Sequence, residues 1–172
     1  QIIRGVKCFA RNMENEPFSS VSILSVVEET LSFCMDRFKL SQVELCKLDI
    51  PKHLMINCRS VQISQVLLNL ITNSIDAVSK LNERWVKIEV KECNTTVEIS
   101  VEDSGNRIDE KVVDRMFQPF YTTKEKGLGT GLGLSISRSI LEKHQGSLFY
   151  DHSSPHTRFV ISMPQAKATQ LL

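Results

Sequence analysis

The sequence predicts an α+β protein, a two-layer α/β sandwich whose sheet is mixed and mostly antiparallel. Three observations lead there. Two segments, 23–38 and 61–80, repeat their apolar residues at helical spacing. Three others, 42–50, 86–90 and 97–101, alternate apolar and polar residues, as half-buried antiparallel strands do. Helices and strands then follow one another without the βαβ rhythm of a parallel sheet.

Residues 1–14 have the composition of a helix end, and "ENEPFSS" (14–20) breaks it at Pro17. "ILSVVEETLSFCMDRF" (23–38) is amphipathic, with Val27, Leu31, Cys34, Met35 and Phe38 on its buried stripe. "QVELCKLDI" (42–50) alternates through Val43, Leu45, Leu48 and Ile50 and stops at Pro51, which predicts a strand; "LMINC" (54–58) predicts a short second one. The helix at 61–80 buries Ile63, Val66, Leu67, Leu70, Ile71, Ile75 and Val78. A hairpin follows: Val86, Ile88 and Val90, a turn marked by Asn94, then Val97, Ile99 and Val101. The stretch 103–130 reads as loop. "GLSISRSILEKHQG" (133–146) reads as a helix with Gly146 as its stop, and "SLFYD" and "TRFVISMP" close the sheet.

At 172 residues the chain suits one domain, or one domain with a helical remnant. It opens on Gln1 inside a helix-like stretch, which reads as a piece of a longer protein. A net charge of +1, with no basic block, argues against nucleic acid as a partner. No apolar run approaches the roughly 18 residues of a membrane span, and no signal peptide is visible. Cys8, Cys34, Cys46, Cys58 and Cys93 are scattered and never in CxxC spacing, so they read as small buried apolar residues in a reducing compartment. His53, His144, His152 and His156 form no metal pattern.

Three features point to chemistry. "GLGTGLGLS" (127–135) carries glycine at every second position, Gly127, Gly129, Gly131 and Gly133, directly before a helix. Free backbone N–H groups and the helix dipole make such a place an anion site, and phosphate is its natural occupant. The alternative is a flexible surface loop, and neither GxxxxGK[ST] nor GxGxxG is present. The 61–80 helix shows Gln65, Asn69, Asn73 and Asp76 on its other face. Asparagine is a poor residue for a merely solvated helix face, whereas amides a turn apart can offer oxygen to a hard cation such as Mg²⁺. Asp103 opens "DSGN": either a turn cap or a buried acceptor for an exocyclic amine.

"QVLLNLITNSIDAV", "VEDSGNRID", "MFQPFYTTK" and "GLGTGLGLSISRSILEKHQG" appear in the order and spacing of the N, G1, F and G2 boxes. Over residues 16–164 the chain resembles the catalytic ATP-binding domain of two-component sensor histidine kinases, nitrogen-regulation-type above all. These belong to the GHKL (Bergerat-fold) superfamily of gyrases, chaperones, kinases and mismatch-repair ATPases. The resemblance implies a five-stranded mixed sheet with helices on one face and ATP or ADP held between helices and a flexible lid. It implies Asn73 as ligand of Mg²⁺, Asn69 along the phosphates, Asp103 as acceptor of the adenine amine, and Gly105 keeping the base pocket open. Phe117 and Phe120 become lid anchors, with Thr123 and Lys124 near the phosphates. The nucleotide is wrapped by Gly127, Gly129, Thr130, Gly131, Leu132, Gly133 and Leu134, and Thr157 lies near the base. Residues 1–15 then end a dimerisation and phosphoacceptor helix, and 165–172 form a tail. The implied location is cytoplasmic, whether or not the parent sensor is membrane-anchored.

Two positions depart from the family pattern. Arg107 stands where the G1 box has its second glycine, and Ser74 replaces an alanine, a small change. Asn106 is expected to absorb any left-handed dihedral there, while Arg107 leaves the pocket with its guanidinium in water. No histidine of this chain is followed by Glu or Asp, as the family's phosphoacceptor usually is, so the acceptor is expected on another domain. The superfamily's hydrolases carry a glutamate where Asn69 stands, and an amide cannot act as that general base. The implied function is transfer of the ATP γ-phosphoryl group to a histidine of its own dimerisation domain. A homodimeric parent and a cognate response regulator follow. The alternative is a degenerate module that binds partners without kinase activity.

Overall fold

The structure is a computed structural model and describes residues 17–46, 50–125, 127 and 129–166. Helix α1 (Ile23–Ser41) buries Ile23, Val26, Val27, Thr30, Leu31, Cys34 and Phe38. Met35, expected on that stripe, is instead 38% exposed. The Thr30 hydroxyl donates to Val26 O at 2.7 Å, which satisfies the one polar group on the buried face. The helix ends at Gln42, whose left-handed backbone (φ 53°) turns the chain into the sheet.

Helix α2 (Ser60–Val78) is the central element. Its apolar residues are buried against α1, its neighbour on the helical layer, and against the sheet behind. Ile63, Val66, Leu67, Ile71, Ile75 and Val78 have no exposed surface at all. What remains to line a cavity is the narrow polar stripe that includes Asn69 and Asn73.

The main sheet has the order β2-β4-β5-β7-β6, with β2 (Glu44–Leu45) parallel to β4 (Trp85–Cys93) and every other pair antiparallel. Strands β4 and β5 (Thr96–Asn106) form the expected hairpin, with Asn94 left-handed (φ 51°) in its turn. Their alternating Val and Ile side chains are buried, so the period-two pattern reads true. Strands β6 (Ser147–Tyr150) and β7 (His156–Pro164) close the sheet. This is the mixed five-stranded sheet under a helical layer that the family resemblance implied.

Several local expectations are corrected. Strand β2 is only two residues of the 42–50 segment, of which 47–49 lie outside the described residues. Strand β1 (Ser19–Ser22), unforeseen in "ENEPFSS", pairs antiparallel with β3 (Met55–Cys58) as a separate two-stranded ribbon. Strand β5 runs past Asp103 to Asn106 through a bulge, and α3 (Glu110–Val113) interrupts the expected loop. Helix α4 (Gly133–Lys143) is followed by a left-handed Gln145 (φ 57°), not a left-handed Gly146. Gly146 is needed for another reason: a Cβ there would sit 2.6 Å from Ser162 O on β7.

A buried histidine ties α4 to the start of α2. His144, at the end of α4, accepts from Arg59 N at 3.1 Å through Nε2, while Nδ1 donates to Ile140 O at 2.8 Å. Cys34 and Cys58 are buried, as expected, and burial pushes the Cys34 thiol up to about 11; Cys46 and Cys93 are half-buried. The proposed helix end at 1–15 and residues 167–172 lie outside the described residues. Gln165 and Ala166 remain tied to the fold by bonds to Thr95 O and Met55 O. Among the described residues no helix is long and apolar enough to cross a membrane.

Candidate nucleotide site

A cavity of about 960 Å³ opens between α2, the sheet end of β5 and β7, and the segment joining α3 to α4. That is at the upper end of the size range of small-molecule sites, roughly 300–1,000 Å³. Asn69, Asn73, Asp103, Thr123, Lys124, Gly129, Thr130, Gly131, Gly133, Leu134 and Thr157 all line it. Gly105, Gly127 and Leu132 do not, although they belonged to the same sequence-derived set.

At the deep end lies Asp103, 1% exposed, held at the bulge in β5 opposite Val86 on β4 and Thr157 on β7. Burial pushes its carboxyl up to about 6, and Glu102 adds to this, while bonds from Ser74 and Gly105 N and the nearby His156 oppose it. The Gly105 N–H donates to Asp103 Oδ1 at 2.9 Å. A Cβ on Gly105 would stand 2.7 Å from that oxygen, so only glycine allows the carboxylate to be clasped in this way. Ser74, which the sequence treated as a small change, is thus a partner of the carboxylate. Thr157 is buried beside it and donates to Asn106 O at 2.7 Å.

Arg107 leaves the cavity, as expected, but its guanidinium is not simply solvated: Nε donates to Ser154 O at 2.8 Å, pinning the β6–β7 loop. Asn106 is not left-handed, and neither is Arg107. The bulge between Asp103 and Asn106 accommodates the irregularity, so no glycine is required there.

At the wide end, Asn69 and Asn73 sit one turn apart on α2. Asn69 Nδ2 donates to Ser137 Oγ at 3.1 Å, Asn73 Nδ2 to Asn69 Oδ1 at 3.4 Å, and Lys124 Nζ to Asn73 Oδ1 at 3.2 Å. Lys124 also reaches Asp76 Oδ2 at 2.8 Å, and Arg37 from α1 pairs with the other Asp76 oxygen. Burial alone would raise the Asp76 carboxyl, but bonds from Lys124 and Arg37 hold it below the ordinary carboxylate range. A lysine ammonium therefore already occupies the oxygen-lined corner between Asn73 and Asp76. Gln65, first of the polar stripe, does not line the cavity.

The alternating glycines are explained by close approach. A Cβ on Gly133 would fall 2.3 Å from Asn69 Oδ1, one on Gly131 (φ 66°) 2.4 Å from the Phe120 carbonyl carbon, and one on Gly129 2.8 Å from Thr122 Oγ1. Gly127 needs its freedom for a left-handed φ of 89°. Leu132, at the N-cap of α4, supplies no side-chain cap, so the helix presents its N-terminus to the cavity without one.

Of the two expected anchors of this segment, Phe117 packs on the core under the Arg138 guanidinium, 5.2 Å from its ring centre. Phe120 does not: it is left-handed (φ 65°) and 77% exposed. Tyr121 and Met116, which the sequence reading passed over, pack on the core in its place. Among the described residues no three His, Cys, Asp or Glu gather as a metal cluster.

Residues 58–167 match the family described as Histidine kinase-, DNA gyrase B-, and HSP90-like ATPase. The chain is 41% identical over 111 residues to sporulation kinase A of Bacillus subtilis, covering 64% of this chain and 18% of that protein. It is 32% identical over 169 residues to the sensor protein FixL of Bradyrhizobium diazoefficiens, covering 96% of this chain and 33% of that one. It therefore spans a third or less of these relatives. The catalytic domain of histidine kinase ThkA, solved without nucleotide, superposes with a TM-score of 0.75 at 29% identity, covering 87% of this chain and 99% of that domain. An ATP-sized cavity between the central helix and a glycine-rich segment, on a sheet that matches a kinase catalytic domain, has one parentage. The chain belongs to the histidine kinase-, DNA gyrase B- and HSP90-like ATPase family, and its homologues are sensor histidine kinases.

Proposed function

We propose that this chain binds ATP in the cavity and presents the γ-phosphoryl group to a histidine on a dimerisation domain outside the chain. One observation carries the reading: a buried carboxylate, Asp103, lies at one end of the cavity, and an uncapped helix N-terminus faces two asparagines at the other. The first suits an exocyclic amine, the second a chain of phosphates. Asp103 takes the adenine amine, with Thr157 and Gly105 shaping the base end. Asn69, Thr123, Lys124, Gly129, Thr130, Gly131, Gly133 and Leu134 hold the phosphates.

The donor set at Asn73 fits Mg²⁺: its amide oxygen and the Asp76 carboxylate are hard ligands, and an ammonium group rests against them. Bound there, the ion would neutralise phosphate charge. The chain's own part is to orient the nucleotide and to release Lys124 from Asn73 as the phosphates arrive. Asn69 carries no carboxylate to activate water, which supports transfer over hydrolysis. The only sequence support for a degenerate module was Arg107, and that residue stands outside the cavity.

ThkA has also been solved in complex with the response regulator protein TrrA. By extension, the parent of this chain is a cytoplasmic, homodimeric kinase that passes its phosphoryl group to a response regulator. Calorimetric titration of ADP with and without Mg²⁺ tests the site. Wild type should bind more tightly with Mg²⁺, and Asn73→Ala should lose that gain and keep its fold; an unchanged gain would remove Asn73 as ligand.

A further inference from the structure

We propose that Ser137, on the buried face of α4, is a positioning residue that holds the Asn69 amide and, through it, the amide of Asn73. The inference rests on the reading of Asn73 as the Mg²⁺ ligand. Lys124 can only donate, so the atom of Asn73 that meets it must be the oxygen. The Asn73 nitrogen then points back along α2, where Asn69 must receive it with its own oxygen. That leaves the Asn69 nitrogen facing Ser137 Oγ, which must accept. The order is thus set by the cation at one end, and the buried hydroxyl, able to donate or accept, accepts at the other and holds the Asn69 amide in place. Mg²⁺ in place of the ammonium demands the same order, because it too binds only oxygen.

Ser137 is 2% exposed, so no water can readily replace it as the acceptor. Gly133, on the same helix, supplies the room: a Cβ there would strike Asn69 Oδ1 at 2.3 Å. Helix α4 therefore orients the metal ligand of α2 without touching the metal. Remove the hydroxyl and the Asn69 amide nitrogen is left unpaired. Asn69 then loses the bond that holds its amide against Asn73, and the Asn73 amide is no longer held with its oxygen toward the cation.

The test is calorimetric titration of ADP in Mg²⁺ and in EDTA, on wild type, Ser137→Ala, Ser137→Thr, Asn73→Ala and the Ser137→Ala/Asn73→Ala pair. Ser137→Ala is expected to reduce the Mg²⁺-dependent gain in affinity about tenfold, the low end for groups that hold a metal ligand from behind. Affinity in EDTA should stay unchanged, Ser137→Thr should keep the gain, and the pair should be no weaker than Asn73→Ala alone. If Asn73→Ala loses the gain and Ser137→Ala keeps it, the positioning role is wrong and the ligand assignment stands. If Asn73→Ala keeps the gain, the ligand assignment fails and the positioning role with it. Equal weakening by Ser137→Ala in Mg²⁺ and EDTA would mark an ordinary packing residue and overturn the proposal.

Discussion

Asp103 is the carboxylate proposed to take the adenine amine, and its titration makes that role testable. Its folded value, about 6, lies above the 3.8 of a free aspartate, so the native state holds the extra proton between them. Stability from this group is therefore full below 3.8, falls as pH rises through that window, and is flat above it. Asp103→Asn removes the buried charge and is expected to stabilise the protein at pH 7 by up to about 3 kcal/mol, measured by urea unfolding. The same substitution should weaken ADP binding, because the ionised acceptor is gone. In wild type, ADP affinity should fall as pH drops below about 6, and the Asn variant should lack that dependence. Asp103 was legible as either a turn cap or a buried acceptor, and the structure buries it inside β5 rather than at the strand's end. Its partner Ser74 was not, because a serine for alanine on a helix says nothing about what stands opposite. Arg107→Gly is expected to change ADP affinity by less than about tenfold, roughly 1.4 kcal/mol, since the side chain bonds to Ser154 O outside the cavity.

Helix α2 and the segment 117–130 show where periodicity informs and where it stops. The stripe of α2 was readable residue by residue because a buried helix face repeats, and Leu70→Ala there should cost about 2–5 kcal/mol in chemical unfolding. Strand β1 was not readable, since serines beside a proline carry no strand signal and the pairing with β3 is made across the fold. The anchors of 117–130 were half legible: an aromatic is easily identified as apolar, but only tertiary packing selects Phe117 and Tyr121 over Phe120. Among the described residues of this segment, Lys124 reaches α2 by exposed bonds to Asp76 and Asn73. Lys124→Ala should therefore speed amide exchange across 117–130 in the unliganded protein, and bound Mg-ADP should slow it in wild type. Equal protection in all three states would deny that the segment responds to the site.

At the scale of the molecule, one arrangement serves both fold and site: a helix buried on most of its circumference presents its remaining polar stripe to a glycine-rich helix start. That combination was legible because apolar spacing fixes the buried face and leaves only one face for chemistry. How the cavity is filled was not, since the Lys124–Asn73–Asn69–Ser137 chain joins residues far apart in sequence. The central claim is that the arrangement positions ATP for a histidine carried elsewhere. The most direct measurement incubates the chain with Mg²⁺ and γ-labelled ATP, alone and with the histidine-bearing helical domain of its own parent. Acid-labile label should appear on that domain's histidine, depend on Asn73, and be missing from this chain alone. Label on this chain's own histidines, or tight ATP binding with no transfer to the supplied domain, would contradict the account.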